Sequence, residues 1–544
     1  MRILAAQINP IIGDLEGNTN KILKAIAAAQ EHAVDIVLFP ELALTGYPPE
    51  DFLLLPHFIE SVESHLKKIV EASTGLTVIV GTPRRNSDTM EKPLLNSAAI
   101  ITDGKITGYQ DKILLPTYDI FDERRYFEPC KDSKIWMIKG KRVGINICED
   151  IWTDRDLIKY TSYMRDPVAE LKPFKVDLLL NLSASPFSVG HLENRIRACS
   201  AAAKLLRCPV ILCNQVGGND SLIFDGHSLY MGRDGYLSNF APGYTEGYLL
   251  ADLSHTTGIK DLRLDQEEEL YNALVLGLRD YFVKSGFKKA CLGLSGGIDS
   301  ALVACLAVEA LGAENVIAVG MPSRYTSDAS VTDAKKLVSN LGIAFKELSI
   351  ESPFVSYLDL LKPEFADRQP DATEQNIQAR IRGMLLMALS NKFGYIVLST
   401  GNKSELAMGY TTLYGDSCGG LAVISDVSKR QIYQLARWIN REKEVIPQSI
   451  IEKAPTAELR PNQKDQDDLP DYAIVDNVLQ AYIEDHQSPE HIAIRFGYDL
   501  ELVKSLVKRI HSNEYKRRQV PPGLRVSDKA FSIGRRFPIV QGWV

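Results

Sequence analysis

The sequence predicts an α/β protein in two parts. The first half is mixed, with antiparallel strand pairs, and the second is doubly wound around a parallel sheet. Short β-branched runs alternate with longer amphipathic segments along all 544 residues. Before residue 250, strand-like segments come in close pairs, one of them split by Asp103-Gly104 as a hairpin turn would split it. After residue 265, strand and helix patterns alternate, the order that crossover connections in a parallel sheet produce.

In the first half, Ile3–Ile8, Ile36–Phe39 and Val78–Gly81 have strand patterns, and Thr19–His32 and Phe58–Ala72 have helical periodicity. Ser97–Ile101 and Lys105–Gln110 form the hairpin, while Val143–Ile147 and Leu178–Leu182 are apolar enough to be buried strands. Residues 1–250 make the first domain. The polar, strand-poor stretch 251–265 reads as a linker, and 266–544 make the second domain. There, helix Gln266–Lys284 precedes strand Ala290–Leu294, helix Ser300–Leu311, strand Val316–Gly320 and helix Ser327–Leu341.

The bulk properties exclude several classes. A net charge of −7 argues against a nucleic-acid binder, which usually shows a basic face. No apolar run reaches the roughly 18 residues a membrane span needs. The apolar stretch at the start is too short for a signal peptide, and Asn9-Pro10 ends it. The eight cysteines form no short-loop framework and no zinc spacing. Reduced thiols in a cytoplasm are the expectation.

Residues Gly293, Leu294, Ser295, Gly296, Gly297, Ile298, Asp299 and Ser300 lie between a predicted strand and a predicted helix. The glycines let the backbone approach an anion, and the two serine hydroxyls and the helix N-terminus can hold phosphate oxygens. No Lys-Ser/Thr ends the loop, so it is not a Walker A loop. The Asp299 carboxylate would repel phosphate unless a cation lay between them, and Mg²⁺ is the natural one. The ordinary alternative is a serine-capped glycine turn.

S-G-G-x-D-S resembles the PP-loop of the N-type ATP pyrophosphatases, which cleave ATP between its α and β phosphates. EQNIQAR (374–380), STGNKSE (399–405), GYTTLYGD (409–416), KAPTAEL (453–459) and EYKRRQ (514–519) together resemble the NAD⁺ synthetase family over about 266–536. The resemblance implies ATP as co-substrate and deamido-NAD⁺ as acceptor. It places Ser295, Ser300, Thr400, Lys429 and Thr456 at ATP. It places Asn376, Arg380, Glu405 and Lys516 near the dinucleotide, and makes Asp299 and Glu405 the Mg²⁺ ligands. Ammonia-using members carry a lysine where Leu413 stands, which leaves the dinucleotide contacts of that loop open.

In the first half, Glu41 ends a strand, Lys112 follows the hairpin and Cys148 ends an apolar strand. A thiol at such an end suits a nucleophile, a carboxylate can take its proton, and a lysine can stabilise an oxyanion. Taken singly, each has a plain alternative: a packing cysteine, a helix cap, a surface lysine. In this order they resemble the Glu-Lys-Cys triad of the nitrilase superfamily, which implies an α-β-β-α sandwich. The glutaminase branch fits best. It implies that Tyr118, Ser185 and His191 contact glutamine and that Glu123 is a second, orienting carboxylate.

The two halves together resemble the glutamine-dependent NAD⁺ synthetase family, in which glutamine supplies ammonia to an ATP-driven amidation. That resemblance implies an enclosed ammonia route and a homo-oligomer. A nitrilase-type amidase fused to a PP-loop enzyme with another acceptor is the alternative. A nucleotide sensor is a third reading, disfavoured by catalytic residues in both halves.

Overall fold

A computed structural model of the chain describes residues 1–152, 163–254, 258 and 264–543. The chain divides into two compact units, Met1–Leu264 and Asp265–Val544. Most of the stretch 251–265 lies outside the described residues. Ala251 and Asp252, expected to begin a linker, instead finish the strand Gly247–Asp252, which pairs antiparallel with Arg2–Gln7.

The first unit holds two six-stranded sheets. One runs Gly247–Asp252, Arg2–Gln7, Ile36–Leu38, Thr77–Arg85, Leu94–Thr102, Lys105–Asp111. The other runs Leu237–Phe240, Leu229–Met231, Val210–Asn214, Leu178–Ser183, Lys141–Ile147, Ile135–Ile138. Strand alternation sorts the side chains into layers. Ile3, Ile36, Leu38, Ile79 and Ile100 from the first sheet meet Ile145, Ile147, Leu180, Leu182 and Ile211 from the second in one core. Leu179, Val210 and Leu212 face the other way, onto Leu192, Ala198, Ala202 and Leu206 of helix His191–Leu206. Helices Leu15–Glu31 and Pro56–Ala72 pack together, and the latter contacts strand Thr77–Arg85. This is an α-β-β-α sandwich.

Helix Leu15–Glu31 begins earlier than its apolar pattern suggests, because the Asp14 carboxylate accepts from Gly17 N at 2.9 Å and caps it. Strand Thr77–Arg85 outruns the predicted Val78–Gly81, since its register with Leu94–Thr102 continues to Arg85.

The second unit is built on a parallel sheet ordered Ala344–Glu347, Val316–Gly320, Ala290–Gly293, Ile396–Ser399, Leu421–Ala422. Helices Glu351–Phe365 and Ala372–Phe393 cover one face through Phe354, Ile377, Ile381 and Leu386. Helix Ile298–Leu311, apolar on nearly every side, packs against the sheet and against Gln266–Ser285. The strand order reverses between Ala290–Gly293 and Ile396–Ser399. In an open α/β sheet the crevice beyond the strand ends at such a reversal is the usual ligand site. Helices from 403 to 517 build a further apolar cluster around Val475, Leu479, Val503 and Leu506.

Candidate active sites

In the first unit, three chain segments converge on one buried cluster. Phe39 to Thr45 leaves the strand Ile36–Leu38 and lies across Gly81. A Cβ at Gly81 would sit 2.4 Å from both Leu42 N and Pro40 O, so only glycine lets the Glu41 segment approach this closely. Lys112 follows the strand Lys105–Asp111, and its N–H donates to Asn96 O at 2.8 Å. Cys148 opens a 3₁₀ turn at the end of Lys141–Ile147 and holds φ of 44°, left-handed and strained for a residue with a side chain. A nucleophile on a sharp strand-to-helix turn has this shape.

Lys112 Nζ donates to Glu41 Oε1 and to Glu123 Oε1, each at 2.7 Å, and all three side chains are buried. Asn96 Nδ2 donates to the same Glu41 oxygen at 2.7 Å, and Ala184 N donates to Glu41 Oε2 at 3.3 Å. Tyr47 OH donates to Glu123 Oε1 at 2.8 Å. Burial works against a charged Lys112, but Glu123 and Glu41 outweigh it and hold the ammonium well above its ordinary range. Burial, with Glu41 adding its charge, raises Glu123 to about 7 even though Lys112 opposes it. Burial and the Glu41 carboxylate also push the Cys148 thiol well up. Attack by a thiol so placed would need a base to take its proton. Glu41, sharing the cluster, is the base at hand.

The two residues after Cys148 were not singled out by sequence reasoning, and both make buried contacts. Glu149 is buried and accepts from Tyr118 OH at 2.9 Å and from Tyr163 OH at 2.8 Å. Asp150 joins the Cys148 turn to the Lys112 segment. It accepts from Ile147 N at 3.0 Å, Ile113 N at 3.1 Å and Leu114 N at 2.7 Å. Burial pushes its carboxyl up to about 7, against those three backbone donors. Asp150→Asn turns an acceptor into an amide N–H facing a backbone donor, at a cost of about 1–3 kcal/mol. Because it also shifts Cys148 against Lys112, glutaminase kcat is expected to fall on the order of 10- to 100-fold. Steady-state glutamate release against the wild type checks this, and an unchanged kcat rejects it.

Ser185 Oγ lies 3.2 Å from His191 Nε2, and the His191 ring stacks on Trp152 with centroids 5.1 Å apart. Ser185 is held from behind by Asn214, whose Oδ1 accepts from its N–H at 2.9 Å. Arg195, fully buried and paired with Asp225 at 2.9 and 3.0 Å, donates to Ser185 O at 3.4 Å. The structure thus brings together Glu41, Lys112 and Glu123, and separately Ser185 with His191. Tyr118 bonds Glu149, the residue after Cys148.

In the second unit, a cavity of 1060 Å³ opens at the strand-order reversal, large for a small-molecule site and with room for more than one substrate. Gly293, Leu294, Ser295, Gly297, Ile298 and Asp299 of the phosphate loop line it, with Thr400, Glu405, Lys429, Thr456, Asn376 and Lys516. Gly296 and Ser300 do not. Gly296 takes φ of 78°, and a Cβ there would meet Ser330 O at 2.3 Å. Ser300 is buried inside the loop, with its Oγ 3.1 Å from Ser295 Oγ and donating to Gly297 O at 3.1 Å.

Lys429 Nζ donates to Asp299 Oδ2 at 2.6 Å and to Glu405 Oε1 at 3.2 Å, above the Tyr472 ring. Asn402 Nδ2 donates to Asp299 Oδ1 at 2.8 Å, and Asn402 Oδ1 caps the helix Lys403–Met408 by accepting from Glu405 N at 2.9 Å. Asp465, missed in the sequence, adds a third carboxylate that accepts from Tyr472 OH at 2.9 Å. Burial raises Glu405 to about 8, with Lys429 opposing and Asp299 assisting. Three acids around one lysine gather hard oxygen donors at one place. Among the described residues no group of three or more His, Cys, Asp or Glu is arranged to hold a metal ion. Two carboxylates suffice for Mg²⁺, which takes few protein ligands and completes its shell with phosphate and water, so Asp299 and Glu405 fit it.

Asn376 Oδ1 accepts from Thr412 Oγ1 at 2.6 Å. Lys516 Nζ donates to Gly409 O at 2.7 Å and Thr411 O at 2.9 Å. Lys516 pins the Gly409 and Thr411 backbone, and Asn376 holds the Thr412 side chain, at the cavity wall. Arg380 is exposed, donates to Leu413 O at 3.2 Å and does not line the cavity. Thr456 Oγ1 donates to Gln463 O at 2.6 Å. Among the described residues no helix is long and apolar enough to cross a membrane.

A family model described as carbon-nitrogen hydrolase matches residues 2–259, and one described as NAD synthase matches residues 270–520. A glutamine-dependent NAD(+) synthetase of Synechocystis sp. is 46% identical over 551 residues, covering 99% of both chains. Another, from Thermotoga maritima, is 42% identical over 581 residues, covering 99% of this chain and 98% of its own. The solved glutamine-dependent NAD+ synthetase of Acinetobacter baumannii, in complex with ADP, matches at a TM-score of 0.79 and 39% identity, over 100% of this chain and 99% of that one. A glutamine-dependent NAD(+) synthetase from Cytophaga hutchinsonii shares the fold, with a TM-score of 0.85 at 24% identity over 99% and 98% of the two chains.

Proposed function

The chain belongs to the glutamine-dependent NAD⁺ synthetase family, and we propose from its two sites which residues perform each part of that family's reaction. The enzyme forms NAD⁺ from deamido-NAD⁺, ATP and glutamine. ATP adenylates the nicotinate carboxylate and pyrophosphate leaves. Ammonia from glutamine then displaces AMP.

In the first unit, Cys148 Sγ attacks the side-chain amide carbon of glutamine while Glu41 takes the thiol proton. Lys112 stabilises the oxyanion, and the same proton passes to the leaving ammonia. Water then opens the thioester, again with Glu41 as base. Asn96 and the Ala184 N–H aim Glu41, and Glu123 shares the lysine and fixes its direction. Tyr118, Ser185 and His191 bind the glutamine head. The observation that carries this reading is Lys112 Nζ held 2.7 Å from two buried carboxylates beside a left-handed cysteine.

In the second unit, the Gly293–Ser300 loop receives the phosphates of ATP, with Thr400, Lys429 and Thr456. Asn376, Lys516 and Arg380 serve the dinucleotide, Arg380 by holding the Leu413 backbone. Asp299 and Glu405 would hold Mg²⁺, which would neutralise charge on the pyrophosphate. Lys429 bridges the two carboxylates and keeps them aligned. A homo-oligomer in the cytoplasm completes the proposal. It is supported by the exposed apolar Leu360, Met384 and Phe393 and by eight free cysteines.

Pure protein given glutamine, ATP, Mg²⁺ and deamido-NAD⁺ is expected to release AMP and NAD⁺ in equal amounts. Xanthosine monophosphate or aspartate in place of deamido-NAD⁺ is expected to yield no AMP. AMP formed with either of these and not with deamido-NAD⁺ rejects the acceptor.

A further inference from the structure

The cavity of the second unit is unevenly charged. Near the phosphate loop, Asp299, Glu405 and Asp465 outnumber Lys429. Beside the strand end at Met321 stands Arg382, half-buried and lining the same cavity. Its Nε donates to Met321 O at 3.0 Å. Among the described residues no carboxylate lies within ion-pair distance of it, and its two terminal nitrogens have no protein acceptor.

The carboxylate nearest in effect is Glu458, and it is already saturated. Glu458 Oε1 accepts from Lys453 Nζ at 2.8 Å, Ser330 Oγ at 2.8 Å and Ser327 Oγ at 2.9 Å. Arg382 is therefore a half-buried cation with four N–H bonds open to the cavity. Burial lowers its pKa to about 10, with Glu458 opposing from a distance. A guanidinium in that state gains most from a ligand that brings the missing charge.

The helix Ala372–Phe393 fixes where that charge arrives. Asn376, Ala379, Arg382 and Leu386 recur at helical spacing and all line the cavity. Leu386 Cδ1 lies 3.5 Å from where a Cβ on Gly293 would be, and Met321 Cε lies 3.1 Å from it. Gly293 opens the phosphate loop. Arg382 thus stands one helical turn from a residue packed on the root of that loop, tied to the other.

We propose that Arg382 binds phosphate oxygens of the adenine nucleotide held by the Gly293–Ser300 loop. It is the arginine of this helix that reads a substrate anion directly. This rests on the reading that the second unit uses ATP. The carboxylate and diphosphate of the dinucleotide offer similar oxygens, but the position beside Met321 and Gly293 favours the nucleotide.

Arg382→Gln keeps a donor for Met321 O and removes the charge, and Arg382→Lys keeps a charge without the fork. Calorimetry with ADP alone, and KM values for ATP and deamido-NAD⁺ in ammonia-driven synthesis, separate the outcomes. Arg382→Gln is expected to weaken ADP binding and raise KM for ATP roughly 10- to 100-fold, with Arg382→Lys between it and wild type. KM for deamido-NAD⁺ should stay within about twofold. Unchanged ADP binding in both variants overturns the proposal, and a rise confined to deamido-NAD⁺ overturns the choice of nucleotide. Wild-type protein that binds ADP through Arg382 yet makes no NAD⁺ would reject the functional reading and leave this assignment standing.

Discussion

Cys148→Ala is expected to abolish glutamine hydrolysis and glutamine-driven NAD⁺ formation while leaving synthesis from ammonium salts largely intact. Removing a nucleophile should lower glutaminase kcat by about 10³-fold or more. The substitution deletes one sulfur from a buried site, so the stability cost is small, about 1 kcal/mol. Ammonia-driven synthesis in the variant should rise with pH, because more of the added ammonium is then NH₃. A packing cysteine predicts instead that both activities fall together or neither does. Glutamine-driven NAD⁺ formation at wild-type rate in Cys148→Ala would show that the nucleophile lies elsewhere. Glu41→Ala should give the same split, and the double variant should be no worse than either single one, since the residues act as a unit. Lys112→Ala differs in one respect. It leaves Glu41 and Glu123 buried around an empty position without their shared cation. Breaking such a group by removing one partner costs about 3–5 kcal/mol, so a lowered melting temperature should accompany the lost activity.

Asp299→Asn is expected to destroy synthesis from glutamine and from ammonia alike, on the order of 10²-fold or more in kcat/KM. The asparagine retains an oxygen to accept from Asn402 Nδ2, now 2.8 Å away, so the loop is kept while the charge is lost. Glu405→Gln should behave likewise, with its side-chain carbonyl still able to accept from Asn402 N. Raising Mg²⁺ should partly restore either variant if the carboxylates hold the metal, and should do nothing if they only orient Lys429. AMP formation at the wild-type rate in Asp299→Asn rejects both roles.

The contrast between the two variants comes from chemistry that local sequence displays. S-G-G-x-D-S needs only its own glycines, serines and the helix that follows to declare an anion site. The loop's hydroxyls do bond to one another within six residues, as Ser295 and Ser300 show. The strands and helices were legible for the same reason, since side-chain period and capping are set by neighbours in the chain. Where element ends differed, as at Asp14 and Arg85, a cap or a partner strand moved the boundary.

Other parts carried no local mark. Asn96 lies 55 residues from the Glu41 oxygen it supports, and nothing in a strand sequence marks one asparagine as functional. Asp150 sits two residues after Cys148, yet its contacts depend on N–H groups of Ile113 and Leu114. Tyr47 could not be tied to Glu123 without the fold.

The sequence by itself determined the fold class and the chemistry of each half. A strand-helix order and a glycine-serine loop are written in consecutive side chains, and Glu41, Lys112 and Cys148 each stand in a recognisable local segment. Only the tertiary structure decided which groups meet. Lys112 serves two carboxylates because the strand after Asn96 carries it between them, 71 residues from Glu41. On one helix, Arg380 and Arg382 differ by two residues, which is more than half a turn. Packing of Ile377, Ile381 and Leu386 against the sheet sets that helix's rotation, leaving Arg380 exposed and Arg382 facing the cavity. Backbone propensity is a local property, whereas the facing of a helix is set by long-range burial.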